Sequence, residues 1–166
     1  MEDRDAHFMG EALKEAEYAM ELGILPVGVV ITIGDEIVAR GCKNGVSPRF
    51  GHAEVVTMAR AEANGHKWGR GMTIYTTLET CFMCFVTALN YQVDKIVYAM
   101  EDPFGGISSD SLAQELLPVM YRHKLPIITS GVLREESRTL LRKYFANSES
   151  EFWQNRENPL VKACFL

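Results

Sequence analysis

Apolar positions recur every three or four residues between 6 and 22. Phe8, Ala12, Ala16 and Ala19 or Met20 share one face, and Gly23 closes the segment. That spacing predicts an amphipathic helix. The period then shortens. Val29-Val30-Ile31-Thr32-Ile33 and Glu36-Ile37-Val38-Ala39-Arg40 flank Gly34-Asp35 and predict a β-hairpin. Residues 42–51, with Gly, Asn, Ser and Pro, read as a loop. Helical spacing returns from His52 to Ala63, with Asn64-Gly65 as its stop. Strands are predicted over 72–77, 95–100 and 126–129. Helices are predicted over 81–91, 109–123 and 134–145, with Pro118 kinking or ending the second. A short segment with Phe152 and Trp153 follows.

A hairpin followed by alternating helices and strands favours parallel pairing, right-handed crossovers and helices on both sheet faces. The expected class is α/β, in three α-β-α layers. The helix at 81–91 is apolar nearly all round, through Phe82, Met83, Phe85, Val86, Ala88 and Leu89. Such a helix is buried on more than one side. In a chain this small a subunit interface achieves that, so a homodimer is expected.

Composition narrows the picture modestly. A chain of 166 residues with 47% hydrophobic side chains can bury a core of its own. One domain over 1–166 is expected, with an aromatic tail segment at about 148–166. No apolar run reaches the roughly 20 residues of a membrane helix. The charged start, Met1-Glu2-Asp3-Arg4-Asp5, is unlike a signal peptide. The expected location is cytoplasmic, with no membrane partner. Cys42 and Cys164 then read as free thiols.

The net charge of −5 is confined to residues 1–21. There, seven acids (Glu2, Asp3, Asp5, Glu11, Glu15, Glu17, Glu21) face only Arg4 and Lys14. The rest of the chain is neutral and shows no strong basic footprint for a nucleic acid. Arg138, Arg142 and Lys143 fall at helical spacing and read as a solvated helix face.

The candidate chemistry lies in His52-Ala53-Glu54 and Cys81-Phe82-Met83-Cys84. A C-x-x-C pair alone is open to redox and structural readings, and a lone H-x-E is weaker still. Together, each opening a helix, they supply three metal ligands and one carboxylate that need not be a ligand. Imidazole with thiolates suits zinc. Three protein ligands leave a position open, as catalytic zinc sites do. The helix N-termini favour thiolate over thiol at Cys81 and Cys84. Zinc would make water a nucleophile near neutral pH. Glu54 would take the water's proton and pass it to a ring nitrogen and then to the leaving amine.

These residues match the H-x-E…P-C-x-x-C pattern of zinc deaminases, with Thr80 in place of the proline. The chain resembles the cytidine/deoxycytidylate deaminase superfamily, in the branch of tRNA adenosine deaminases and fungal-type cytosine deaminases. The resemblance runs from about 8 to 146. It includes Pro26-Val27-Gly28-Val29-Val30, Asn44, His52-Ala53-Glu54, Tyr75-Thr76-Thr77-Leu78-Glu79 and Cys81-x-x-Cys84. It implies a central five-stranded mixed sheet with a parallel fifth strand, and commonly a homodimer. It implies one zinc per subunit on His52, Cys81 and Cys84, with Glu54 as proton shuttle. It also implies Asn44 as a hydrogen-bond partner of the substrate and backbone N–H groups near Ala53 touching the ring. Thr80 is expected to be tolerated, because threonine is a good N-cap.

Two substrates fit that chemistry. One is a free amino-heterocycle such as cytosine, and the other is an adenosine in a tRNA anticodon loop. The apolar end, Asn158 to Leu166, and the segment Ser150-Glu151-Phe152-Trp153 favour the small substrate. Trp153 or Phe152, with Phe104, would stack on a planar ring, or Phe152 and Trp153 would pack the apolar face of a short helix; Phe50 reads as a stacking residue at the rim or as loop packing. A third reading, a non-catalytic zinc-binding subunit, does not explain why Glu54 is present.

Overall fold

The structure is a computed structural model. It describes residues 2–43, 47, 49–66, 70–107, 117–122 and 125–166. Helix α1 spans Glu2–Glu21, longer at its start than the periodicity predicts. The reason is Asp5, which turns inward and is buried. It accepts hydrogen bonds from the Tyr75 hydroxyl at 3.0 Å and from Lys95 Nζ at 2.6 Å. A charged start is thereby tied to the sheet instead of fraying.

Strands β1 (Gly28–Ile33) and β2 (Glu36–Cys42) form the predicted antiparallel hairpin. Strand β3 (Met72–Leu78) pairs antiparallel with β1. Strands β4 (Lys95–Met100) and β5 (Ile127–Thr129) add in parallel. The order is β2-β1-β3-β4-β5, a five-stranded mixed sheet. Gly28 is where α1 lies directly on β1. A methyl group there would run into the Ala12 carbonyl and come within 2.9 Å of the Glu15 carbonyl carbon.

Alternation along the strands separates two cores. Val29, Ile31, Ile74 and Ile96 pack with residues of α2 (Ala53–Ala63) and α3 (Phe82–Asn90). Val30, Tyr75, Val97 and Ala99 pack with Phe8, Met9 and Ala12 of α1. The acidic helix therefore occupies one layer, and the two motif helices occupy the other.

The C-terminal third departs most from the sequence reading. Most of the helix predicted at 109–123 lies outside the described residues. Its described part, α4 (Val119–Arg122), begins directly after Pro118. Helix α5 runs Arg134–Asn147, and α6 is Glu151–Gln154. A further helix, α7 (Pro159–Phe165), was not predicted. Asn158 caps it, accepting from the backbone N–H groups of Leu160 at 3.0 Å and Val161 at 3.4 Å, and Pro159 opens it. Leu160, Val161 and Cys164 then enter the main core. Among the described residues no helix is long and apolar enough to cross a membrane.

Candidate active site

Both halves of the motif sit at helix N-termini on the same side of the sheet. His52 is the N-cap of α2, with extended backbone (φ −65°, ψ 146°), and its carbonyl accepts the first helical bond, from Val56 N–H at 3.0 Å. Cys81 is likewise the N-cap of α3 (φ −77°, ψ 168°), with Phe85 N–H on its carbonyl at 2.9 Å. The capping role expected of Thr80 therefore belongs to Cys81. Thr80 lies one residue outside the helix, where it is buried and its carbonyl accepts from Ile107 N–H at 3.0 Å. An N-cap side chain projects over the first turn, so each ligand faces unpaired backbone N–H groups.

The sheet brings the two caps together. His52 Nδ1 lies 3.5 Å from both Cys81 Sγ and Cys84 Sγ, and the two sulfurs are 3.5 Å apart. Ligands on a tetrahedral zinc, with bonds of about 2.0–2.3 Å, stand roughly 3.5 Å apart. The triangle therefore fits that ion in spacing and in donor chemistry. His52, Cys81 and Cys84 would hold it, and it would supply the Lewis acidity that activates water.

Electrostatics within the triangle are strongly coupled. Cys84 donates to Cys81, which together with His52 holds the Cys81 thiol at about 4. Cys84, facing that thiolate in a buried setting, is pushed upward. The Cys81 hydrogen bond also raises the His52 imidazole above its usual range. Glu54 is in the first turn of α2, buried, with Oε2 3.4 Å from Cys84 Sγ. Burial pushes its carboxyl up to about 7, although its own backbone N–H opposes the shift. A carboxyl poised there can take and return a proton near neutral pH.

A pocket of about 110 Å³ opens beside these groups. His52, Ala53, Glu54, Cys81, Phe104 and Trp153 line it, so much of the candidate set shares one cavity. Cys84 sits behind Cys81, fully buried. Phe50 is 68% exposed and is not part of the pocket wall. Asn44 lies outside the described residues. Trp153 stacks on Phe145 with centroids 5.1 Å apart, and Phe152 meets both Trp153 and Phe104 edge-on, at 4.6 and 5.6 Å.

Sequence reasoning missed other parts of the wall: Leu25, Lys43, Glu79, Asp102 and Leu160. Glu79 is buried and accepts from Asp102 N–H at 3.0 Å, while the Asp102 carboxylate accepts from Phe104 N–H at 2.9 Å. The two acids thus shape the turn that presents Phe104. Burial holds both carboxyls above their usual range. Leu160 had a legible signal in Asn158-Pro159, a helix start ahead of apolar residues. Nothing local to Lys43 marks it as a wall residue.

Sheet order, paired N-caps and a buried carboxyl beside a metal triangle define a class: zinc-type deaminases, hydrolases that exchange an amino group for oxygen. Residues 2–100 match the model of the cytidine and deoxycytidylate deaminase zinc-binding region. The chain belongs to that family. It is 34% identical over 158 residues to a tRNA-specific adenosine deaminase of Bacillus subtilis, covering 93% of this chain and 97% of that one. It superposes with a TM-score of 0.71 and 30% identity on a structure from studies of A-to-I editing by tRNA deaminases at the wobble position, covering 81% of this chain and 99% of that chain. A guanine deaminase from Nitrosomonas europaea, 22% identical with a TM-score of 0.66 over 84% of this chain and 83% of that one, shares the fold.

Proposed function

We propose that the chain deaminates adenosine to inosine in a tRNA, with zinc on His52, Cys81 and Cys84 and with Glu54 as the proton carrier. The observation that carries this reading is the end-to-end likeness to a tRNA-specific adenosine deaminase, 34% identical over 93% of this chain. It moves the preference from the free base, favoured by the sequence, to the RNA. The charge objection also weakens, because α1 packs on the sheet face opposite the motif helices. The cavity, about 110 Å³, is small beside the roughly 300–1,000 Å³ of drug-sized pockets. It accommodates one planar ring and leaves the sugar and phosphates outside, as enzymes acting on an extruded base require.

In this reading the ring enters between Phe104, Trp153 and Ala53. Glu54 accepts the water's proton and delivers it to the ring nitrogen, then takes the proton of the hydroxyl added to the ring carbon and passes it to the amine, which leaves as ammonia. Each subunit holds one zinc. The outer face of α3, where Phe82 is 58% exposed, is the surface of a homodimer.

A free-base substrate is the second reading. It is favoured by Trp153 and Leu160, tail residues that close the pocket wall. A panel measuring ammonia release from cytosine, guanine, adenine and their nucleosides, beside inosine formation in an anticodon stem-loop, separates the two. Inosine in the stem-loop with little turnover of free bases is expected. Turnover confined to a free base would replace the RNA reading with the second one.

A further inference from the structure

Most cations of this chain are engaged. Arg4, Lys14, Arg40, Lys95, Arg134, Arg138 and Lys162 pair with acids. Arg60 and Arg142 donate to the carbonyls of Arg40 and Cys164, and Arg156 lies over Phe165. Among the residues whose side chains are described, Lys43, Arg49, Arg70 and Lys143 are the lysines and arginines without such a partner. Two of these four lie in the segment that runs from the hairpin into His52. Lys43 lines the pocket with His52 and Glu54. Arg49 is exposed in the turn that leads into His52. Gly51 N–H to the Ser47 carbonyl at 2.8 Å, and Phe50 N–H to Ser47 Oγ at 3.2 Å, fix that turn.

Aromatic surface accompanies the cations. Phe50 follows Arg49 and is 68% exposed. Phe104, on the pocket wall, is 54% exposed and touches Phe152, itself 49% exposed. Besides Lys43 and His52, the pocket wall carries three carboxyls, Glu54, Glu79 and Asp102. A phosphate is repelled from such an interior, whereas a neutral base is not. Free cations and exposed rings around an acidic, ring-sized pocket separate the two halves of a nucleotide. Backbone-tracking cations and stacking rings are also how proteins hold single strands.

Resting on the tRNA reading above, we propose that Lys43 and Arg49, with Phe50, form the strand-holding rim of the site and bind the phosphodiester groups flanking the nucleotide whose base enters. Lys43 supplies a point charge and Arg49 a two-pronged donor for phosphate oxygens. Phe50 offers a face on which a neighbouring base stacks. These residues set substrate class by holding a strand, and they do not touch the reacting atoms.

The test is equilibrium binding of a labelled anticodon stem-loop to the zinc-loaded protein over a range of salt concentration. Wild type is compared with Lys43→Gln, Arg49→Gln, the double variant and Lys43→Arg. Zinc content and thermal melting establish that each variant is folded. For single-stranded nucleic acid each phosphate contact contributes about 0.7 to the slope of log K against log salt. Each Gln substitution is expected to flatten the slope by about that amount, the double variant by about twice as much, and Lys43→Arg to restore it. An unchanged slope in the folded double variant, with a wild type that binds and deaminates the stem-loop, would overturn the rim and leave the tRNA reading intact. A wild type that does not bind the stem-loop would overturn both.

Discussion

Replacing Gly106 by alanine puts a methyl group where the structure has no room. An added Cβ would lie 2.6 Å from both the Asp102 carbonyl oxygen and Glu79 Cδ, nearly an ångström inside ordinary contact. Neither neighbour can yield freely. Glu79 is 8% exposed, and its carboxylate holds Asp102 N–H. The Asp102 carbonyl accepts Gly106 N–H itself at 2.8 Å. Gly106 also forms a β-bridge with Cys81, and the next residue, Ile107, donates to Thr80. Either Glu79 releases Asp102, losing a charge-assisted bond of about 1.5–3 kcal/mol, or residues 106–107 withdraw and carry Cys81 with them. Disturbing the groups that orient a metal ligand typically costs 10–100-fold in metal affinity, equivalent to about 1.4–2.7 kcal/mol. Gly105 is the internal control. A methyl there would sit 3.4 Å from Asp102 Oδ2, at van der Waals contact. Gly105→Ala should stay within about 0.5 kcal/mol of wild type. Competition with a metallochromic chelator, alongside ammonia release and thermal melting, reads all three quantities. If Gly106→Ala keeps wild-type metal affinity and stability, or if Gly105→Ala is equally damaging, the clamp through Glu79 and Asp102 is not what positions Cys81.

Three further outcomes are expected. Glu54→Gln should retain zinc while ammonia release falls by about 10²–10⁴-fold, and a near-normal rate would remove Glu54 from the chemistry. Lys95→Met leaves the buried Asp5 without its cation and should cost about 3–5 kcal/mol in denaturant unfolding, against about 1 kcal/mol for Tyr75→Phe; equal costs would refute the ion-pair argument. Prolonged chelation should abolish turnover and lower the melting temperature, and added zinc should restore both; activity surviving verified metal removal would refute a metal-dependent reaction.

Much of this protein is encoded locally. The change from helical to strand period placed α1, the hairpin, β3 and β4, because burial on one face imposes that period wherever an element meets a core. That His52, Cys81 and Cys84 would share one site was also expected, and the three do converge. A residue that caps a helix projects over its first turn, so each half of the motif presents its side chains at a helix start, while their meeting depends on the fold. Helix α7 was missed although Asn158-Pro159 announced it, because so short an apolar segment carries little periodic signal.

Legible in the residues alone, then, are a His/Cys/Cys set that could hold a metal, a carboxylate beside it, and an α/β frame with these groups at helix starts. Assembly of the sheet supplies the rest. Placing β1 next to β3 brings His52 to within 3.5 Å of Cys81 and Cys84. Packing of α2 removes Glu54 from water and raises its carboxyl to about 7. The return of the tail sets Trp153 and Leu160 in the pocket wall, and the hairpin's end brings Lys43 to the same wall. Caps and periods are encoded by neighbours a few residues apart, whereas burial and a pocket's wall depend on which distant segments the sheet brings together.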